Sequence, residues 1–451
     1  MTTSDVTRGE HVPRRAVAGY AAGSVGTGGF STLPGLVLAY YLTDTLAVPA
    51  LLASVVVIVP KVWDVLIDPA VGALSDREAR TRQTRTRLMA LGALTLPIGF
   101  IATFAAPAAL SPGAAAIWVV VAFLLATTSF SLFQVPYIAL PADLTNGYHE
   151  RTRLLSWRIA TLALTILLIG AGGPALRDLA GGGHVGYLLM GVVVAAVLLA
   201  GMMACVSGVR GRRPQPTSSQ PAMSGYREGL RTLREHATYR ILLGVFILQA
   251  VATGVMLAAA QYVATYTLGS QAALTFLFVA LVGPALVVMP LWTRYAARFG
   301  KARGLTAATV LFVVATLSLI ALPVAPSWWV YGAVAVAGVA YAGMQLFPLA
   351  MLPDVISTAG RERGGAMSGL WTAGETAGFA CGPVLVLLML AAGGFVSSGP
   401  GEAASQPAAA HLGIVLAFSA VPAFLALASL LLLRRYDEPE AASKQIGAPQ
   451  R

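Results

Sequence analysis

"PKVWDVLIDPAVGALSDR", residues 60–77, decides how the chain is read. It places Lys61, Asp64 and Asp68 within eight residues of one another, inside an apolar stretch long enough to cross a bilayer. On a helix, positions three and four apart share a face, so the two carboxylates stand one turn apart with the ammonium beside them. A charge at the centre of a bilayer costs about 2.5–3.5 kcal/mol on insertion scales, so such a residue faces a bundle interior or a water-filled cavity. Two adjacent carboxylates offer hard oxygen ligands to Na⁺. If no metal binds, the same pair is a proton-binding site. Lys61 is placed to balance the charge when no cation is bound. A salt-bridge cluster joining helices is the alternative.

Outward from this stretch the chain stays apolar. Of its 451 residues 57% are hydrophobic and 11% charged, against about 25% charged in a soluble protein. Twelve runs read as spans of an all-α membrane protein, at 16–43, 49–75, 87–107, 114–141, 153–176, 185–208, 239–267, 271–292, 303–323, 327–353, 364–391 and 409–433. The start, "MTTSDVTRGEHVPRR", has no signal-peptide core. With these spans, 27 of the 30 Lys and Arg fall on the side holding both termini, and only Arg177 falls opposite. That asymmetry predicts cytoplasmic termini. It also explains the net charge of +11 as topology, leaving no nucleic-acid partner to invoke. Cys205 and Cys381 lie in separate spans and read as packing residues. The five His have no metal-ligand spacing, and there is no Walker loop, GxSxG or zinc motif. No enzyme and no cofactor is expected. Uphill transport would draw on an ion gradient, with H⁺ or Na⁺ as the coupling ion.

The expected organisation is an N-terminal six-helix bundle over 1–208, a cytoplasmic linker over 209–238, a C-terminal six-helix bundle over 239–434 and a cytoplasmic tail over 435–451. Within the linker, "YREGLRTLREH" reads either as solvated chain or as a short interfacial helix. The halves repeat one another. Span 4 ends in "FQVPYIALPADL" (133–144) and span 10 in "MQLFPLAMLPDV" (344–355), each with a Gln, a Pro and an Ala, then Pro and Asp (Asp143 or Asp354) at the membrane exit. Two parallel six-span halves are the plan of the major facilitator fold, with the substrate site between them near mid-membrane. The loop "GALSDREARTRQTRTR" (72–87) resembles that superfamily's Gly–Asp–Arg signature. In it Gly72 would permit close helix packing, and Asp76 with Arg77 would act at a gate together with Asp143 and Asp354. An ordinary basic loop is the alternative.

Residues 61–77 resemble the span 2 signature of the glycoside–pentoside–hexuronide:cation symporters, the melibiose permease-like family. "VPYIAL", "MLPDVI" and "GLWT" resemble its motifs in spans 4, 10 and 11. The animal lysophospholipid symporters share the broad family. The resemblance implies that Asp64 and Asp68 are cation-site carboxylates, that Ser131 supplies a hydroxyl to the cation, and that Arg158 contacts substrate. It also marks departures. The family's site Asn falls on Ile67, its two sugar-binding acids fall on Gln134 and Ser24, its sugar-stacking aromatic on Ile138, and its span 11 Lys on Thr376 with Glu375 beside it. The cation carboxylates are therefore expected to work, while the sugar-binding set is altered. Arg158 without acid partners suits a substrate bearing negative charge. Glu375 is expected to serve as a proton site, as a partner of Arg158, or as a residue satisfied by its neighbours.

Gln249 and Gln261 are twelve apart on span 7. They are expected either to line the C-terminal side of the cavity or to hydrogen-bond between helices. Tyr20 reads as cavity-facing or interfacial. The expected protein is a monomeric, cation-coupled secondary transporter of a small organic solute, a sugar by family default. A lysolipid or other amphipathic anion is the alternative cargo, and a proton-driven exporter an alternative mode. Membrane lipid is the remaining partner. A non-transporting receptor is the remote alternative, which has no use for the costly acid pair.

Overall fold

The computed structural model describes residues 12–145, 148–211, 231–324, 327–359, 364–399 and 404–436. Most of the expected linker (212–230) and of the tail (437–451) lies outside them. The first six helices are α1 (Arg14–Asp44), α2 (Ala50–Arg82), α3 (Thr86–Phe104), α4 (Pro112–Leu144), α5 (Tyr148–Leu179) and α6 (Gly183–Val209). After the linker come α7 (Ala237–Tyr262), continued by a π-turn at Val263–Thr267, then α8 (Ala273–Phe299), α9 (Lys301–Ser318), α10 (Trp329–Ala359) and α11 (Gly364–Ala392). The twelfth span is two helices, α12 (Ala408–Phe418) and α13 (Ala420–Leu433), separated by Ser419. No strand occurs among the described residues.

Among the described residues eleven segments are long and apolar enough to cross a membrane. The first predicted span is absent from that set, although α1 is a continuous 31-residue helix. Its Gly, Ser, Thr and Tyr content lowers its hydropathy without breaking the helix. Tight caps are local: Ser111 accepts from the Ala114 amide, and Pro112 fills the first turn, where no amide donor is needed.

The chain forms two compact units. The first comprises residues 1–34, 59–222 and 399–401, and the second 35–58, 223–398 and 402–451. This differs from the expected halves in one stretch. Residues 35–58, the adjoining ends of α1 and α2, group with the C-terminal helices, because their backbone and hydroxyls bond there. Ser398 donates its amide to Thr43 O at 3.0 Å, and Ser397 its hydroxyl to Val48 O at 2.8 Å. Each helix changes unit beside a proline, Pro34 in α1 and Pro60 in α2, where the missing amide interrupts the helical ladder.

In the first unit α3 packs on α4 and α6. In the second, α9 packs in the same pattern on α10 and α13. The repeat seen in sequence is thus a repeat of packing. Each unit also holds very close helix crossings, among them one between paired glycines. A Cβ on Gly208 of α6 would lie 2.7 Å from Gly19 Cα of α1, and one on Gly382 of α11 would lie 2.2 Å from the Gly254 carbonyl carbon of α7. Small residues let backbones approach this way in membranes, where packing replaces the hydrophobic drive. Gly382→Leu is therefore expected to force α7 and α11 apart and cost at least about 1–3 kcal/mol. It would lower the melting midpoint of detergent-purified protein, whereas Gly369→Ala, in open space on the same helix, leaves it unchanged.

Candidate functional site

The opening stretch forms the middle of α2, whose Pro60 and Pro69 flank the charged residues, about two helical turns from Lys61 to Asp68. Lys61 Nζ stands 3.8 Å from Asp64 Oδ2. Asp64 Oδ1 is buried and has no hydrogen-bond partner. Asp68 lies one turn on, with the Ser131 hydroxyl of α4 within its electrostatic reach. The structure thus brings Asp64, Asp68, Lys61 and Ser131 together in one unit. Trp63 anchors α2 to the same helix, its indole donating to Thr128 Oγ1 at 2.9 Å. Buried polar atoms are almost always paired, so an orphaned carboxylate oxygen needs an explanation. A cation beside it supplies one.

A second group of polar side chains lies in the same unit around Tyr137, which sequence reading passed over. Tyr137 is fully buried, with its ring 4.9 Å from that of Tyr20 and 5.4 Å from that of Phe133. Its hydroxyl donates to Tyr20 O at 2.8 Å and meets Ser24 Oγ at 2.9 Å. The Arg158 guanidinium caps the ring at 5.3 Å, a cation–π distance. Arg158 Nε and Gln134 Oε1 are both buried without a partner. The unit therefore presents an unused donor on a cation and unused acceptors on Asp64 and Gln134. The aromatic stretch "VPYIAL" held the signal, since Tyr137 stands next to Ile138. Ile138 itself is exposed.

Several expectations require correction. Ser24 is fully buried and committed to Tyr137, so it is packing, not open surface for a substrate. Gln249 is also buried, and its amide donates to Thr309 at 2.9 Å and Ser429 at 3.4 Å, tying α7 to α9 and α13. Gln261, fully buried, donates to Thr265 near the end of α7. For Gln249 the hydrogen-bonding alternative between helices is therefore the one observed. Gly72 is no point of close approach, because a Cβ there would meet only Val135 Cγ1 at an ordinary 3.8 Å. Arg77 is exposed, and the partner of Asp76 is Arg85 instead.

Arg85, unremarked in the basic loop, is the centre of that network. It lies at the start of α3, with NH1 2.8 Å from both Asp76 Oδ1 and Ser75 Oγ, and Nε 2.8 Å from Asp143 Oδ2. The second unit repeats the pairing. Lys301, at the start of α9, places Nζ 2.7 Å from Asp354 Oδ2. Asp143 and Asp354 are thus the anchors that tie α4 to α3 and α10 to α9. In the same second unit Glu375 is partly buried on α11 with no ion pair among the described residues, and Tyr341 of α10 is within its electrostatic reach. Tyr341 Oη accepts from Gln345 Nε2 at 2.9 Å, and Gln345 Oε1 is unpaired. Thr376 is exposed. Among the described residues no cluster of three metal-ligating side chains occurs.

These features define a class: a major facilitator chain with ionisable groups set into its spans. The family model described as MFS/sugar transport protein matches residues 19–439, and the chain belongs to that family. The mouse sodium-dependent lysophosphatidylcholine symporter 1 is 27% identical over 71% of this chain, and the match spans 66% of that protein, just under two thirds of its length. The inner membrane symporter YicJ of Escherichia coli is 27% identical over 89% of this chain and 86% of its own. Among solved structures, a D-xylose–proton symporter superposes with a TM-score of 0.67 at 14% identity, covering 94% of this chain and 98% of that one. The glycoside:cation resemblance and the fold read from sequence agree with these findings.

The anchors are open to test. Arg85 and Asp143 are both under one tenth exposed. Breaking such a pair from one side strands a buried charge and costs about 3–5 kcal/mol. Arg85→Ala should therefore lower the thermal midpoint of the purified protein strongly. Lys301→Ala should lower it less, because Lys301 is 40% exposed, and Arg77→Ala should leave it in place.

Proposed function

We propose that this protein is a cation-coupled secondary transporter of a small organic solute, and that the solute carries negative charge on its polar end. The observation that carries the reading is the pair of unsatisfied buried atoms in one unit, Asp64 Oδ1 and Arg158 Nε. The first calls for a cation and the second for an acceptor. Asp64 and Asp68 bind H⁺ or Na⁺ with Ser131, and Lys61 balances the pair when the cation leaves. Arg158, held over Tyr137, meets the anionic group. Gln134, where the sugar transporters have an acid, presents its amide without opposing that anion.

Neutralising Asp64 and Asp68 removes negative charge from the same unit in which an anionic cargo binds. The two ligands therefore favour one another's binding, which is the coupling that symport requires. The sugar default is disfavoured by the loss of both acids and of the stacking aromatic. An amphipathic substrate that carries an anionic phosphate, such as a lysophospholipid, is favoured by Arg158, and relatives named as lysophosphatidylcholine symporters, after a zwitterion with such a phosphate, support it. Glu375 provides a second ionisable position on the C-terminal side. The protein works as a monomer in the cell membrane, with both termini in the cytoplasm, and carries out no enzymatic reaction.

Purified protein in liposomes tests this. Glycosides, organic anions and lysophospholipids are each offered while H⁺ and Na⁺ movement is followed. Coupled uptake of an anionic solute is expected. Asp64→Asn and Asp68→Asn should each abolish coupling, and Arg158→Gln should raise the KM for the anion more than for any neutral solute. Unchanged coupling in both Asp variants overturns the ion site, and preference for neutral glycosides overturns the anionic cargo.

A further inference from the structure

One buried acid takes no part in that scheme. Asp44, the last residue of α1, lies just past the first predicted span and is only 7% exposed. It belongs to the second unit, where it is enclosed by three segments far apart in sequence. Its own segment, 40–48, contributes Thr43, whose hydroxyl bonds Asp44 Oδ2 and meets Tyr262 Oη at 2.8 Å. The end of α7 and its π-turn contribute Tyr266, whose hydroxyl donates to Asp44 Oδ1. They also contribute Thr265, which donates to Tyr40 Oη at 3.2 Å. The stretch before α12 contributes Gln406. Its amide is fixed by Val396, accepting from Val396 N at 2.9 Å and donating to Val396 O at 2.8 Å, and it reaches Tyr266 Oη at 3.4 Å. Phe395 stands edge-on to both Tyr262 and Tyr266.

The titratable groups facing Asp44 are Tyr40 on α1 and Tyr262 and Tyr266 at the end of α7, with His411 of α12 behind the Tyr266 ring. Among the described residues no Lys or Arg forms an ion pair with it. An ionised carboxylate in such a cage has hydroxyl partners but no countercharge, and burying an uncompensated charge costs several kcal/mol. The neutral acid fits without that cost. Thr43 can turn its hydroxyl hydrogen to Ala39 O, 3.3 Å away, and so accept the proton of the carboxyl group. Tyr266 continues to donate to the other oxygen.

We propose that Asp44 is a proton-binding site that latches this end of the protein shut. When segment 40–48 stays bonded to the α7 end and to residues 395–411, Asp44 is buried and holds a proton. When the segments part, Asp44 meets water, ionises as an ordinary carboxylic acid does near neutral pH, and releases the proton to the solution on that side. Closing takes one proton up, so rising pH on that side favours the open latch and falling pH the closed one. The site is separate from Asp64 and Asp68. It rests on the orientation given above only in that the solution concerned is then external.

The test uses the full chain in intact cells, with Cys205→Ala and Cys381→Ala as background. Val48→Cys, fully buried in the latch, reports opening through reaction with a membrane-impermeant maleimide. Val324→Cys, 88% exposed on the same side in the predicted topology, calibrates it, and the ratio of the two rates cancels the common pH dependence of thiol reactivity. The ratio should rise with external pH, by up to about tenfold per unit, the limit for one proton. Asp44→Asn, a neutral isostere, should make it flat, and Tyr266→Phe, which removes only a hydroxyl, should raise it at every pH. A ratio independent of pH with Asp44 present, or an undiminished slope in Asp44→Asn, overturns the proposal. If Val324→Cys labels only from the cytosolic side, the orientation fails instead, and the same ratio in inverted vesicles decides the latch.

Discussion

A charge inside an apolar span must find a partner or face water, and this single cost sorts every ionisable group in the protein. Arg85 with Asp76 and Asp143, and Lys301 with Asp354, are paired at 2.7–2.8 Å at the ends of their helices. Such groups have spent their hydrogen-bonding capacity on each other. They hold α3 to α4 and α9 to α10, and they leave little for a ligand. Asp64 and Arg158 are arranged differently. Each is part-buried in its unit with one polar atom unmatched, and Lys61 at 3.8 Å is too long for a tight pair with Asp64. In the proposed scheme this loose geometry lets a cation come and go.

The two units share a fold but divide the chemistry. Both repeat the α3–α4 and α9–α10 packing, the paired prolines, and the anchoring acid. Only the first unit carries the acid pair and the Tyr137–Arg158 stack. The matching helix of the second, α8, has Pro284 and Pro290 but no charge between them. Transport by rocking needs two similar bodies, whereas coupling needs the ion and cargo to sense one another. In the proposed scheme both sets of charges lie in the first unit, so the ion and the anionic end of the cargo act on one another through a single packed body.

What the sequence disclosed follows from the range over which each feature is made. Asp64 and Asp68 were legible because helical spacing alone sets their shared face, and the half-repeat was legible because its Pro and Asp recur at a fixed offset. For Gln249 and Gln261 spacing left two readings open, because it places residues on a face without saying what that face meets; for Gln249 it is Thr309 and Ser429, the hydrogen-bonded alternative. Arg85 was hidden among basic neighbours, since its partner Asp143 is 58 positions away. Asp44 was invisible for the same reason on a larger scale: the hydroxyl that closes its cage belongs to Tyr266, 222 positions on. In a loop read alone, an Asp beside two Thr looks like solvated chain.

The location of Asp44 also explains why α1 and α2 are not rigid members of the first unit throughout. Residues 35–58 bond to the second unit through Thr43, Asp44 and Val48, yet they are covalently continuous with the first at Pro34 and Pro60. A proline removes one ladder hydrogen bond and bends the helix at small additional cost, so strain between the two ends of α1 or α2 collects there rather than spreading. Asp64 stands one turn beyond Pro60 on the same helix, so the gap that Pro60 leaves in the helical ladder lies beside the turn that carries the acid pair.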